Sequence, residues 1–300
     1  MGTERVDARY HPRPPKRSLR VGDKAPTRDI EALLSIHHHY CMSARMLCAL
    51  VGWHYENYGK YRIGILKKNK LVEPRQYIRD RYMCDFLFLT DAGRDYLFKR
   101  GLYSEEADRI KANTREEFPH TIMISDFLSL MQIGFRKHGI EYIPEHRTIP
   151  LTQTTKLNNP RTIESQRKVV PDRYYTAGYH DGAISNAVEI ERGTHRGAQS
   201  DKKIYYIQAM FKERAWEKKL NAKGVPFDNL MFQIVGRSEE HMRTLMSKVD
   251  LSLPHGGMIF NWITCIDSGK RQEVDDRLME PWYMADGSRF DIIKGEKIRA

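Results

Sequence analysis

Between Thr27 and Gly101 the apolar residues keep helical spacing, give way to a charged stretch and a nearly continuous apolar run, and return to helical spacing, with a capping or stopping residue near each change. Few chain topologies accommodate that succession. Thr27 can cap a helix on which Ile30, Leu33 and Leu34 share a face. Ser43 can cap a second helix carrying Leu47, Leu50 and Val51, with Gly52 as its stop. A third helix follows over 55–69, with Tyr58, Ile65 and Leu66 inward, although Gly59 and Gly64 weaken it. Leu71-Val72, the charged stretch QYIRDR and the apolar run YMCDFLFL predict a hairpin over 71–90 with a charged tip. Thr90 then opens a short helix, TDAGRDYLFKRG, that ends at Gly101. The first two helices are expected near 28–40 and 44–51.

Three helices, a hairpin and a closing helix make a winged helix-turn-helix. Residues 71–97 also resemble winged-helix regulators, whose closing pattern LTxxGxxxL is filled here by Leu89, Thr90, Gly93 and Leu97. The resemblance implies a third helix in the major groove of double-stranded DNA, with the wing beside it. The expected DNA-binding residues are Lys60, Tyr61, Arg62, Lys67 and Lys68 on or near that helix, and Arg75, Arg79 and Arg81 in the wing. A charged helix face that is merely solvated is the competing explanation.

The composition agrees with a polyanionic partner. The 300-residue chain carries a formal net charge of +11, and counterions displaced from a nucleic acid drive such a surplus onto it. Hydrophobic residues make up 40%, enough for real cores. No apolar run approaches a membrane span, and the N-terminus lacks a signal core. Cys41, Cys48, Cys84 and Cys265 are scattered without CxxC spacing, as reduced thiols in a cytoplasm would be. Residues 1–26 read as a disordered basic arm, 27–101 as the winged helix, 102–118 as a charged linker and 267–300 as a C-terminal extension whose PWYM cluster docks on a core. A homodimer is an open alternative.

Residues 119–266 read as a second domain in the order α-β-β-β-α-β-α-β, a meander followed by a crossover, giving a mixed sheet flanked by helices. The class is α+β or α/β. Within it, Pro171-Asp172 precedes one strand, and Glu189-Ile190-Glu191 ends the next. Strand residues two apart share a face, so Glu189 and Glu191 project together, and a hairpin brings Asp172 near them. Three carboxylates on one patch repel unless a cation joins them, and Mg²⁺ or Mn²⁺ suits oxygen ligands. The competing explanation pairs Glu191 with Arg192, Lys202 or Lys203 and makes Asp172 a turn cap.

This order with a Pro-Asp and a later acidic pair is similar to the PD-(D/E)XK nuclease superfamily, so a restriction-endonuclease-like domain is expected. The resemblance implies metal binding by Asp172 and Glu189. Glu191 stands where lysine is usual; the resemblance implies a third metal ligand or a water-orienting base there, with Lys203 on the following helix in place of the missing lysine. Catalysis is therefore expected, if at all, from Asp172, Glu189, Glu191 and Lys203, with Mg or Mn as the cofactor. More narrowly, VPD, VEIERGT and KKIYY behind LTDAGRDYL are similar to the replication-relaxation family of plasmid and mobile-element proteins, which implies a role in plasmid, phage or integrative-element DNA metabolism.

Two smaller patterns invite chemistry. His37-His38-His39 offers a zinc pair with Cys41 or a His-x-His pair beside Tyr40, against a polar helix end that suits the dipole. Tyr205 and Tyr206 offer nucleophiles, against one of them packing on the sheet. Three functions stay open: a DNA-binding accessory or regulatory protein, an Mg- or Mn-dependent DNA endonuclease targeted by its winged helix, and a transcriptional regulator whose second domain senses a ligand or dimerises.

Overall fold

A computed structural model describes residues 27–79, 82–102, 117–145, 151–153, 167–191, 197–222, 224–225, 229–263 and 278–298. The arm expected over 1–26, nearly all of the linker expected over 102–118 and the first part of the tail from 267 lie outside the described residues. The chain mixes helix and sheet and divides into two compact units, Met1–Ser129 and Leu130–Ala300.

The first unit runs α1 (Thr27–His39), β1 (Cys41–Ser43), α2 (Ala44–Leu50), a π-helical turn (Tyr55–Gly59), α3 (Lys60–Lys68), β2 (Val72–Arg79), β3 (Tyr82–Leu89) and α4 (Asp91–Phe98). The hairpin expected over 71–90 forms, with Val72 opposite Leu89 at one end and Arg79 opposite Tyr82 at the other. Strand β1 adds to its other edge, giving the order β1-β3-β2. Three residues are too few to show alternation, and the chain enters β1 through Tyr40 at φ 72, so this strand has no sequence signature. The caps are local and legible: Ser43 Oγ accepts from Met46 N at 3.2 Å, and Thr90 Oγ1 accepts from Gly93 N at 3.0 Å. Ala32, Leu33, Ile36, Leu47, Leu66 and Leu97 are fully buried at the centre, each large side chain contributing about 1.5–3 kcal/mol.

The closing pattern LTxxGxxxL has a physical content here. Thr90 caps α4 and also donates to the Lys70 carbonyl. Gly93 lies so close to the Leu71 carbonyl that a β-carbon would collide with it. Leu97 fills the core. The unit also runs past the expected linker to Ser129, because the first half of α5 (Glu117–Lys137) packs into it. Ile122 joins Cys41, Phe86 and Phe88 in one cluster, and Ser125 Oγ donates to the Cys41 carbonyl.

The second unit contains β4 (Glu141–Glu145), a small separate hairpin of β5 (Leu151–Gln153) and β6 (Arg167–Val169), then β7 (Arg173–Tyr179) and β8 (Gly182–Glu191). Helices α6 (Gly197–Glu213) and α7 (Ala215–Ala222) lead to β9 (Asn229–Gly236), and α8 (Glu239–Met246) leads to β10 (Met258–Trp262). Helices α6 and α7 are separated by a break at Arg214, whose φ is 51. Strands β11 (Trp282–Met284), β12 (Arg289–Asp291) and β13 (Glu296–Ile298) complete one sheet, ordered β13-β12-β11-β10-β9-β8-β7-β4. The pairs β8–β9 and β9–β10 are parallel, as connections through helices require. The PWYM segment does dock: Trp282 is fully buried and sits in β11. One face of the sheet packs Ala187, Phe232, Ile234 and Phe260 against Ile204, Ile207 and Met210 of α6 and Met242 and Leu245 of α8.

Candidate nucleic-acid interface and acidic centre

In the first unit the sequence pattern of α3 separates into two sides. Ile63 and Leu66 are buried, while Lys60 and Lys68 are exposed and Lys67 is half-buried. Lys60 reaches back to Glu56 at 2.6 Å and lies 5.1 Å from the centre of the Tyr55 ring. Arg45, at the start of α2, sits 5.2 Å from the same ring. Tyr61 is half-buried. In β2, Arg75 is exposed, pairs with Glu73 at 2.8 Å and lies over the Phe88 ring at 4.8 Å. Arg79 ends β2, and Arg81 lies outside the described residues.

Arg62 departs from its expected role. It is not on the solvated side of α3 but inside the unit, 2% exposed. Its Nε donates to Asp29 Oδ1 at 2.9 Å, and its Nη2 to Asp29 Oδ2. Burial pushes the Asp29 carboxyl up and the guanidinium draws it back. A paired guanidinium can replace an apolar core residue where a buried carboxylate meets both its donors, and a sequence shows neither.

The histidine run ends α1, where cations suit the helix dipole, and His39 is fully buried. Cys41 is buried, which holds its thiol well above the usual range. Among the described residues no group of three or more His, Cys, Asp or Glu side chains is placed to hold a metal ion.

The second unit brings the predicted acidic residues to the end of the β7–β8 hairpin. The ladder's last pair is Arg173 opposite Val188. Just before it, Asp172 Oδ2 accepts the Ile190 N–H at 2.8 Å, so its side chain continues where the strand backbone stops. Glu189 and Glu191 project from the same face of β8, and both are buried. Lys203, in the second turn of α6, donates to Glu189 Oε1 and, at 3.2 Å, to Glu191 Oε1. The ion pairing expected as the alternative for Glu191 is thus made by Lys203, and the same ammonium is the one the nuclease resemblance placed there.

One ammonium faces three carboxyl groups. Burial is the main reason the Glu189 carboxyl is held well above its ordinary range, and the Asp172 charge adds to it against Lys203. Lys203 resists losing its proton because Glu189, Glu191 and Asp172 outweigh its own burial. The direction that follows is a charged Lys203 and a Glu189 that holds its proton above the ordinary carboxylate range. Glu189 Oε2 is buried with no hydrogen-bond partner among the described residues. An orphaned carboxylate oxygen beside Asp172 fits a hard cation, since Mg²⁺ takes one or two carboxylates and retains its waters. The third carboxylate ligand expected from Glu191 is engaged by Lys203 instead.

Sequence reasoning missed His241. It lies in the first turn of α8, accepts the Arg237 N–H on Nδ1 at 3.3 Å, and feels the Glu191 charge. Nothing local marks it, because it is fifty residues from Glu191 and the parallel pairing of β8 with β9 brings the two together. Tyr206 packs against the core as expected for one of the tyrosine pair, and Tyr205 is exposed.

Fold and site together define a two-unit protein of mixed helix and sheet, with a basic helix in one unit and an ammonium-bridged acidic centre in the other. The chain belongs to the replication-relaxation family: the model of that family, described as Replication-relaxation, matches residues 33–223. No curated protein and no solved structure matches the chain.

Proposed function

We propose that this chain is a double-stranded DNA-binding protein of plasmid, phage or mobile-element DNA metabolism, an accessory or regulator with a winged helix in its first unit and a nuclease-like domain in its second. The family membership supports the setting. The observation that carries DNA binding is the division of α3: Ile63, Leu66 and the Arg62–Asp29 pair are inside, and Lys60, Lys67 and Lys68 line the other side, beside a hairpin that bears Arg75. No helix among the described residues is long and apolar enough to cross a membrane.

The test is duplex binding by the full chain as salt is varied. Lys67→Ala with Lys68→Ala should weaken binding and lower the slope of log K against log salt by about 0.9 for each lost phosphate contact. An unchanged slope would move the DNA surface away from α3.

A second reading, metal-dependent cleavage, is favoured by the orphaned Glu189 Oε2. Asp172 and Glu189 would hold Mg²⁺ or Mn²⁺, which would neutralise phosphate charge and lower the pKa of a bound water. Lys203 would hold the two glutamates in place and offset charge developing on an oxygen. Supercoiled and linear DNA incubated with Mn²⁺ or EDTA tests it. Nicking that needs Mn²⁺ and vanishes in Asp172→Asn supports cleavage, and intact DNA in every form removes it.

A further inference from the structure

The carboxyl ends of parallel strands β8 and β9 carry a second feature beside the acidic centre. Glu191 ends β8 opposite Gly236 of β9. Arg237 and Ser238 follow, and Ser238 Oγ accepts from His241 N at 3.2 Å to start α8. Gly236 permits the close approach, since a β-carbon there would stand 2.8 Å from Met242 N. The first turn of α8 is thereby held against the strand end, and Arg237 N–H donates to His241 Nδ1.

An imidazole whose Nδ1 accepts has its proton on Nε2, so the far side of the ring is a donor. The charged groups facing the ring are Arg237, Glu191 and Lys248. Burial first, then Arg237 and Lys248, favour the neutral ring, and only Glu191 opposes them. The Arg237 side chain is exposed and forms no ion pair among the described residues. Arg237 and the imidazole N–H therefore lie at the carboxyl end of β9, across from Glu191 at the end of β8. A planar fork with a second donor matches the oxygens of a phosphate.

We propose that Arg237 and His241 form a phosphate seat that holds the nucleic-acid backbone beside the acidic centre. The proposal rests on the DNA-binding reading but not on cleavage. A purely structural His241 would need only its acceptor, which asparagine also supplies.

The experiment uses the full chain in EDTA with a short labelled duplex, comparing wild type, Arg237→Ala/His241→Asn and Lys67→Ala/Lys68→Ala. A parallel arm follows the histidine ring resonances by NMR as inorganic phosphate is added, with His241 assigned by its loss in His241→Asn. The Arg237/His241 variant should melt with wild type, bind duplex about tenfold more weakly, as one lost contact of ~1.4 kcal/mol implies, and show a salt slope lower by about 0.9. Unchanged affinity and slope in that variant, with wild type binding well, overturn the seat and leave DNA binding standing. A wild type that binds no duplex but whose His241 resonance moves with phosphate keeps an anion seat and removes the DNA reading. Absence of both responses removes both.

Discussion

Arg62 lies inside the first unit with its guanidinium forked onto Asp29, thirty-three residues earlier in the chain. The pair ties α3 to the start of α1, so the helix proposed to meet DNA is positioned by a buried charge rather than by apolar contacts alone. Arg62→Ala should destabilise by about 3–5 kcal/mol, because Asp29 is left buried and unpaired. Arg62→Met with Asp29→Leu should recover most of the loss. Urea unfolding of the three chains checks this, and a single variant as stable as wild type would contradict the burial.

Two glycines of the first unit should respond oppositely to alanine. Gly64 is an exposed position in α3 with open space around it, so Gly64→Ala should stabilise by about 0.5–1 kcal/mol through helix propensity. Gly93→Ala should unfold the unit or shift α4, since the new methyl meets the Leu71 carbonyl. Thermal melts of both variants decide it, and equal melting temperatures would refute the packing of α4 on Leu71.

Glu189 should make the fold less stable as pH rises. Its folded carboxyl titrates above the ordinary 4.5, so the unfolded chain loses that proton first. The stabilisation from the neutral acid is complete below 4.5 and is lost as pH climbs toward the folded value. Each unit of elevation corresponds to about 1.4 kcal/mol. Glu189→Gln, always neutral, should gain on wild type between pH 4 and pH 7. Denaturant unfolding at the two pH values tests this, and a glutamine variant that loses ground toward pH 7 would show the carboxylate to be fully satisfied by Lys203.

Manganese should relieve the same carboxylate. An ion that binds only the folded chain stabilises it by about 2.7 kcal/mol at a hundred times its dissociation constant. Adding Mn²⁺ at pH 7 should raise the melting temperature of wild type, EDTA should reverse the rise, and Asp172→Asn should abolish it. A wild type that never responds to Mn²⁺ would leave Lys203 as the sole cation of the centre.

Much of this molecule is local and therefore legible in the chain. Ser43 and Thr90 cap their helices within three residues of themselves. The β2–β3 hairpin is signalled by its charged tip and the apolar run YMCDFLFL, and the period of a strand alone places Glu189 and Glu191 on one face. Lys203 reaches them because α6 begins soon after β8 ends. Other features depend on partners far away in sequence. Arg62 has the spacing of a surface cation, and only the fold of α3 against α1 supplies Asp29 and makes it a core residue. Strand β1 exists because β3 offers it an edge. Strands β11 to β13 take their place because β10 presents a free edge to Trp282–Met284, which no short-range pattern announces. His241 meets the charge of Glu191 because parallel pairing sets Gly236 opposite that glutamate, and Gly236 lets α8 approach. Periodicity and capping are interactions within a few residues, so the amino-acid order determines them directly. Burial, charge pairing and strand order are decided by which elements meet, and only the tertiary structure brings those elements together.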